Sequence, residues 1–137
     1  MFPGSYTKKM AEQQYRLLVT GGRNFSDKDL IFNVFEYHTR RQSWRPEPIR
    51  LISGGARGAD AYAEYVAEGL GWDIELHPAD WASHGRSAGR IRNQRMVDLG
   101  ANICIAFPDL SSVGTWDCVK RAVAAGIRVE IPAQSRE

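Results

Sequence analysis

Ile49-Arg50-Leu51-Ile52-Ser53-Gly54-Gly55-Ala56-Arg57-Gly58-Ala59-Asp60 changes its pattern partway along, and that change decides the fold. Ile49 to Ile52 reads as a short buried strand, closed by Ser53-Gly54-Gly55. From about Gly58 the apolar positions become Ala59, Tyr62, Ala63, Val66 and Leu70, a stripe with the 3.6-residue period of a helix. Gly71 then suits the helix end. A strand running through a glycine loop into a helix is half of a βαβ crossover.

Working outward, the same unit recurs. Leu17-Leu18-Val19 is a strand closed by Gly21-Gly22, and Ser26 with Asp29 reads as a capping box for a helix. That helix should turn Leu30, Val34 and His38 inward and end near Gln42, before a loop at Trp44–Pro48. Ile74 to His77 is a third strand, followed by a long polar loop from Pro78 to about Ser87 and a helix to about Leu99. Asn102 to Phe107 is a fourth strand. Thr115 is expected to cap a last helix with Val119, Ala122 and Val123 inward, and Ile127 to Ile131 to form the last strand. The alternation predicts an α/β fold: a three-layer αβα Rossmann-like domain around a five-stranded, mostly parallel sheet. Right-handed crossovers predict the strand order 3-2-1-4-5, with two helices on each face. The organisation expected is an N-terminal arm at 1–15, one domain at 16–133 and a short tail at 134–137.

Bulk properties narrow the function. The 137 residues fit one domain. No apolar run reaches the length of a membrane span, and the first ten residues lack the apolar core of a secretory leader, so a cytoplasmic protein with no membrane partner is expected. Cys104 and Cys118 read as two reduced, buried thiols. The net charge is only +2, against a generic polyanion binder. The basic residues are nevertheless skewed, with fourteen Arg to four Lys, and Arg86 to Arg95 holds four Arg and no acid. Arg is the better bidentate partner for phosphate.

In such a sheet a ligand binds outside the carboxyl ends of the strands, so four loops matter. The first holds Gly21, Gly22 and Arg23; two glycines allow close approach of a ligand, and Arg23 suits a phosphate. The second holds Ser53, Gly54, Gly55, Arg57, Gly58 and Asp60. It suits an anion at a helix N-terminus, although it is neither the dinucleotide fingerprint nor a Walker A loop. Asp60 reads either as a complement to the helix dipole or as a hydrogen-bonding group for a ligand or a neighbouring loop. The third runs from His77 through Asp80 and Trp81 towards Arg92 and Asn93; Trp81 suits stacking on a base, and Arg92 and Asn93 suit phosphate or base edges. The fourth ends in Gly114-Thr115. No His or Cys spacing suggests a metal, no cofactor is expected, and the one acid considered for catalysis is Asp117.

Together V-T-G-G-R-N-F, S-G-G-A-R-G-A-D, H-P-A-D-W, G-R-x-A-G-x-x-R-N-x-x-M and A-F-P-x-x-x-x-x-G-T-x-D resemble the YspA-type, cpYpsA-related branch of the SLOG superfamily, over about residues 16 to 131. The resemblance implies a Rossmann-like fold and a nucleotide or nucleotide-derived ligand, such as an NAD- or ADP-ribose-like molecule. Related LOG phosphoribohydrolases cleave the N-glycosidic bond of nucleoside monophosphates with an Arg and a Glu. That likeness implies an enzymatic alternative in which Arg92 holds phosphate and Asp117 stabilises the developing positive charge. The related DNA-processing protein A family binds single-stranded DNA, which implies a third reading through Trp81 and the Arg86–Arg95 segment. Two departures stand out: Asp109 and Leu110 replace the paired glycines of the fourth loop, and Asp117 is one methylene shorter than the family's Glu. The expected function is binding for sensing or sequestration. The oligomeric state stays open, a homo-oligomer among the options.

Overall fold

The computed structural model describes residues 14–42 and 48–133. Residues 1–13 of the expected arm, the tail and most of the loop at Trp44–Pro48 lie outside the described residues; Tyr15, assigned to the arm, instead opens the first strand. The elements are β1 (Tyr15–Gly21), α1 (Lys28–Gln42), β2 (Ile49–Ser53), α2 (Ala59–Gly69), β3 (Asp73–Leu76), α3 (Trp81–His84), a 3₁₀ turn (Gly85–Ser87), α4 (Ala88–Leu99), β4 (Ile103–Phe107), α5 (Val113–Ala124) and β5 (Arg128–Glu130). The five strands form one sheet in the order β3-β2-β1-β4-β5. Every pairing is parallel, with Leu17 opposite Leu51 on one side of β1 and opposite Ile103 on the other. This is the α/β architecture and strand order the alternation predicts.

Alternate residues of the buried strands feed two cores. On one face Leu17, Val19, Leu51, Ile103 and Phe107 pack against Ile31 and Phe35 of α1 and the alanines of α2. On the other, Leu18, Ile52 and Cys104 meet Met96 and Val97 of α4 and Cys118 and Ala122 of α5. Burying both faces is why these strands read as unbroken apolar runs. Phe35 stacks on Trp72 at 4.7 Å, and the Trp72 indole donates to Thr39 Oγ1 at 2.9 Å. The two cysteines are free and buried.

Several local expectations are corrected. Asp27, not Ser26, caps α1: its Oδ1 accepts from the Leu30 N–H at 3.0 Å, so the box with Asp29 does not form. The inward face of α1 is centred on Ile31, Phe35 and His38, with Leu30 and Val34 flanking, one residue round from the expected stripe. The segment 78–87 is not a plain loop. Asp80 accepts from the Ser83 N–H and starts α3, and a 3₁₀ turn follows. The N-cap position of α5 is Ser112, so Thr115 lies inside the helix and is buried. Val123 points outward, because Thr115, Cys118 and Ala122 already occupy the inward stripe.

The order β3-β2-β1-β4-β5 reverses direction between β1 and β4. Crossovers α1 and α2 lead one way from β1, and α5 leads the other way from β4. The loops after β1 and β4 therefore diverge and leave a crevice, the place where open α/β sheets bind ligands.

Candidate functional site

The crevice is a cleft of about 840 Å³. It is lined by the end of β1 and the loop after it (Thr20 to Asn24), the loop into α2 (Ala56, Arg57) with Asp60, Trp81, the inner face of α4 and the first two turns of α5. Arg23, Arg57, Arg86, Arg90, Arg92 and Lys120 face it against two carboxyls, Asp60 and Asp117, so the field inside favours an anion. Trp81 and Trp116 also line it and are 52% and 47% exposed, each leaving part of an indole free. A second groove of about 720 Å³ follows the outer side of α4 between Ser87 and Leu99. Among the described residues, no buried polar side-chain atom without a partner belongs to that groove, whereas two belong to the cleft.

Those two are Asp60 Oδ1 and Thr115 Oγ1. Asp60 is 5% exposed and Thr115 is 2% exposed. Asp60 Oδ2 accepts from the Ala56 N–H at 3.2 Å, a bond to its own loop. Burial pushes its carboxyl up to about 7, although the Ala56 hydrogen bond, the nearby Arg92 charge and the Gly54 backbone N–H pull the other way. A buried polar atom left without a partner ordinarily costs about 1–3 kcal/mol, so two on one cleft floor call for an explanation.

Of the residues singled out in the sequence, the cleft brings together Gly21, Gly22, Arg23, Arg57, Asp60, Trp81, Arg92, Asn93, Gly114, Thr115 and Asp117. Ser53, Gly54, Gly55, Gly58 and Asp80 do not line it. Ser53 is buried and donates to Glu64 Oε2 at 2.6 Å. Asp80 caps α3, and the Ser83 bonds hold its carboxyl below the usual range. Three backbone N–H groups along the second loop and the start of α2 are already taken: Gly55 by Ser53 Oγ, Ala56 by Asp60, and Ala59 by the Gly22 carbonyl of the first loop.

The glycines turn out to admit the protein's own atoms. A side chain at Gly54 would strike the Arg92 guanidinium, one at Gly22 the Asp109 carboxylate, and one at Gly58 the backbone of Gly22 and Arg23. Gly55 differs, with φ +72° and open space around it. Arg92 fills the place beside Gly54: Nη1 donates to the Gly54 carbonyl at 2.7 Å and to the His77 carbonyl at 3.3 Å, and Nε to Asn93 Oδ1 at 2.9 Å. Its Nη2 has no hydrogen-bond partner among the described residues. Arg92 thus ties the second and third loops together and keeps one edge for a ligand.

Asn93 relays the order onward. Its Nδ2 donates to Asp117 Oδ2 at 3.0 Å and to the Gly114 carbonyl at 3.3 Å. Asp117 Oδ2 also accepts from Arg121 Nε at 2.9 Å. Burial works against the Asp117 charge, but the Arg121 and Asn93 hydrogen bonds outweigh it and hold the carboxyl below its ordinary range. Asp109 sits where the fourth loop meets the first. It accepts from the backbone N–H groups of Asn24 at 2.9 Å and Ser111 at 2.8 Å, and from the Ser112 hydroxyl at 3.0 Å. Those bonds lower its carboxyl's titration. An aspartate here serves as a built-in anion for N–H groups that paired glycines would leave open.

Sequence reasoning missed Trp116, Asn24, Thr20 and Lys120 as lining residues. Trp116 had a legible signal: with Thr115, Cys118 and Ala122 inward, it falls about 100° away, at the edge of the helix facing the cleft mouth. Among the described residues no cluster of three His, Cys, Asp or Glu suits a metal, and no helix is long and apolar enough to cross a membrane.

Comparison with known proteins gives a consistent picture. Residues 15–84 match the family described as YAcAr: YspA, cpYpsA-related SLOG family. The chain is 41% identical over 119 residues to Gene 61 protein of Mycobacterium phage D29, covering 83% of this chain and 93% of that protein. No solved structure matches significantly.

Proposed function

The chain belongs to the YspA, cpYpsA-related SLOG family, and from that premise we propose that it binds a nucleotide or an ADP-ribose-like derivative in the cleft between β1 and β4. The observation that carries this reading is the pairing of two half-exposed indoles with six cationic side chains on one cleft. An indole face is a stacking platform for a heteroaromatic base. Guanidinium groups match the planar donor geometry that phosphate oxygens accept. The anionic part of the ligand sits at the rim, on Arg23, Arg57, Arg86, Arg90 and the free Nη2 edge of Arg92. Gly22 and Gly54 are closed to it by Asp109 and Arg92. The role that follows is sensing or sequestration.

Cleavage of the N-glycosidic bond is the second reading. It is favoured by one observation: the cleft holds a carboxyl that exchanges its proton near neutrality, Asp60, and one that is held ionised, Asp117. An acid and a carboxylate kept apart in this way are the parts a glycosidase uses. Against it, the Asp117 charge is already engaged by Arg121 and Asn93, so less of it is available to an oxocarbenium-like carbon. A single-stranded DNA groove is disfavoured by the net charge of +2.

The test is extraction of the purified protein, with mass spectrometry for co-purified nucleotides, then calorimetric titration with ADP and ADP-ribose and a free-base assay with nucleoside monophosphates. Saturable binding without base release is expected. Base release that disappears in Asp117→Asn would replace binding by cleavage. Absence of nucleotide binding would end both readings.

A further inference from the structure

We infer that Asp60 Oδ1 and Thr115 Oγ1 form a polar floor that takes the hydroxyl groups of the ligand's ribose, so that the cleft selects ribonucleotides over deoxyribonucleotides. This deepens the nucleotide reading and rests on it.

The starting observation is a pair of orphans. Asp60 Oδ1 and Thr115 Oγ1 are buried, lack a hydrogen-bond partner and line the same cleft from two helices, α2 after β2 and α5 after β4. Buried polar atoms in native proteins are nearly always paired, so a ligand group that completes them is the economical explanation. Both positions are rigid. Asp60 is pinned through Oδ2 to Ala56, and Thr115 lies in the first turns of a 12-residue helix.

The chemistry of the missing group follows by elimination. A phosphate finds no cation on a floor made of a buried carboxyl and a hydroxyl, and is drawn instead to the cationic rim. A cation is repelled by that rim, since six Arg and Lys side chains line the cleft and Arg92 lies close enough to influence Asp60. What remains is a neutral group that both donates and accepts. A hydroxyl does this: it donates to Asp60 Oδ1 and exchanges a hydrogen bond with Thr115 Oγ1. The base is accounted for elsewhere, because a planar ring needs a free aromatic face and both indoles are half exposed near the mouth. With base and phosphate held above, the sugar is the part of a nucleotide that reaches the floor, and its vicinal hydroxyls are the two groups that two orphaned atoms require.

The experiment is calorimetric titration of the full chain with ADP, 2′-deoxy-ADP, 3′-deoxy-ADP and IDP. Thermal melts of each variant serve as the folding control. The wild type is expected to bind ADP at least about tenfold more tightly than one or both deoxy analogues, about the value of one good buried hydrogen bond. IDP, which changes only the base edge, should bind within about threefold of ADP. In Thr115→Val, and separately in Asp60→Asn, the preference for the ribose should fall to about twofold. Two variants are used because either side chain alone is enough to test the floor. If ADP binds but the deoxy analogues bind equally well, or both variants keep the full preference, the floor does not read hydroxyls and the proposal fails while the nucleotide reading stands. If IDP is the probe that loses affinity, the floor reads a base edge and the proposal fails. If none of the four probes binds, the nucleotide reading falls, and this proposal with it.

Discussion

Replacing Asp60 by Asn tests whether the cleft floor is as dry as its geometry indicates. Burial moves the Asp60 carboxyl from 3.8 to about 7. Between those values the folded chain holds a proton that the unfolded chain has released. Stability supplied by that proton is complete below the unfolded value and is lost as pH rises towards and through the folded one. The slope is at most about 1.4 kcal/mol per pH unit, so the ceiling across the window is about 4 kcal/mol. A folded-state value only one pH unit above the unfolded one would still give about 1.4 kcal/mol. Asp60→Asn cannot ionise and keeps an oxygen for the Ala56 N–H, so its stability should lack this component. Urea unfolding of both proteins from about pH 5 to pH 8 measures the difference, and groups remote from Asp60 cancel in it. Over that range the wild type should lose about 2.5 kcal/mol relative to the variant, the rest of the ceiling lying below pH 5, and the loss should level off above about 7. Parallel curves would refute the reasoning: the carboxylate would then be charged throughout that range, hence solvated, and not a buried floor.

Other outcomes follow from the same contacts. Thr115→Val exchanges an unpartnered buried hydroxyl for a methyl of similar shape, so the free protein should gain about 1 kcal/mol and melt about 3–5 °C higher, read by calorimetry; an unchanged or lower midpoint would mean the hydroxyl is satisfied. Glu75, held down to about 2 mainly by the Arg16 hydrogen bond, contributes stability that is present above about 4.5 and is lost as pH falls towards 2. Glu75→Gln should therefore cost about 1–3 kcal/mol at neutral pH and progressively less in acid, measured by urea unfolding; a cost independent of pH would contradict the ion pair. Gly22→Ala drives a methyl into the Asp109 carboxylate and should cost about 1–3 kcal/mol, with coupling of at least about 0.5 kcal/mol to Asp109→Gly in a double-mutant cycle.

The architecture was legible because its signals are local. A buried parallel strand needs only a short apolar run, and an amphipathic helix only its own period, so β1 to β5 and the long helices fall where the residues place them, within two or three residues. Handedness then leaves little choice of strand order. The errors arose where neighbouring positions compete: Ser26 against Asp27 as cap, Thr115 against Ser112, and an inward stripe on α1 shifted by one residue. Each depends on the angle at which the chain enters the helix, which packing decides.

The sequence by itself also determined most of the residues that gather at the switch point, because in a doubly wound sheet every loop after a strand opens at the same end. It brought Arg23, Asp60, Trp81, Arg92, Asn93, Thr115 and Asp117 to one cleft before any distance was known. Only the tertiary structure decided what each of them does there. Gly54 is small because Arg92, 38 positions away, lies against it, and Gly22 because Asp109 does. Asp117 is engaged because Asn93 and Arg121 reach it, and Asp60 keeps one oxygen without a hydrogen-bond partner. Such roles are set by contacts between segments remote in sequence, and the free energy of a polar atom depends on whether a partner is within hydrogen-bonding reach, which local sequence patterns do not encode.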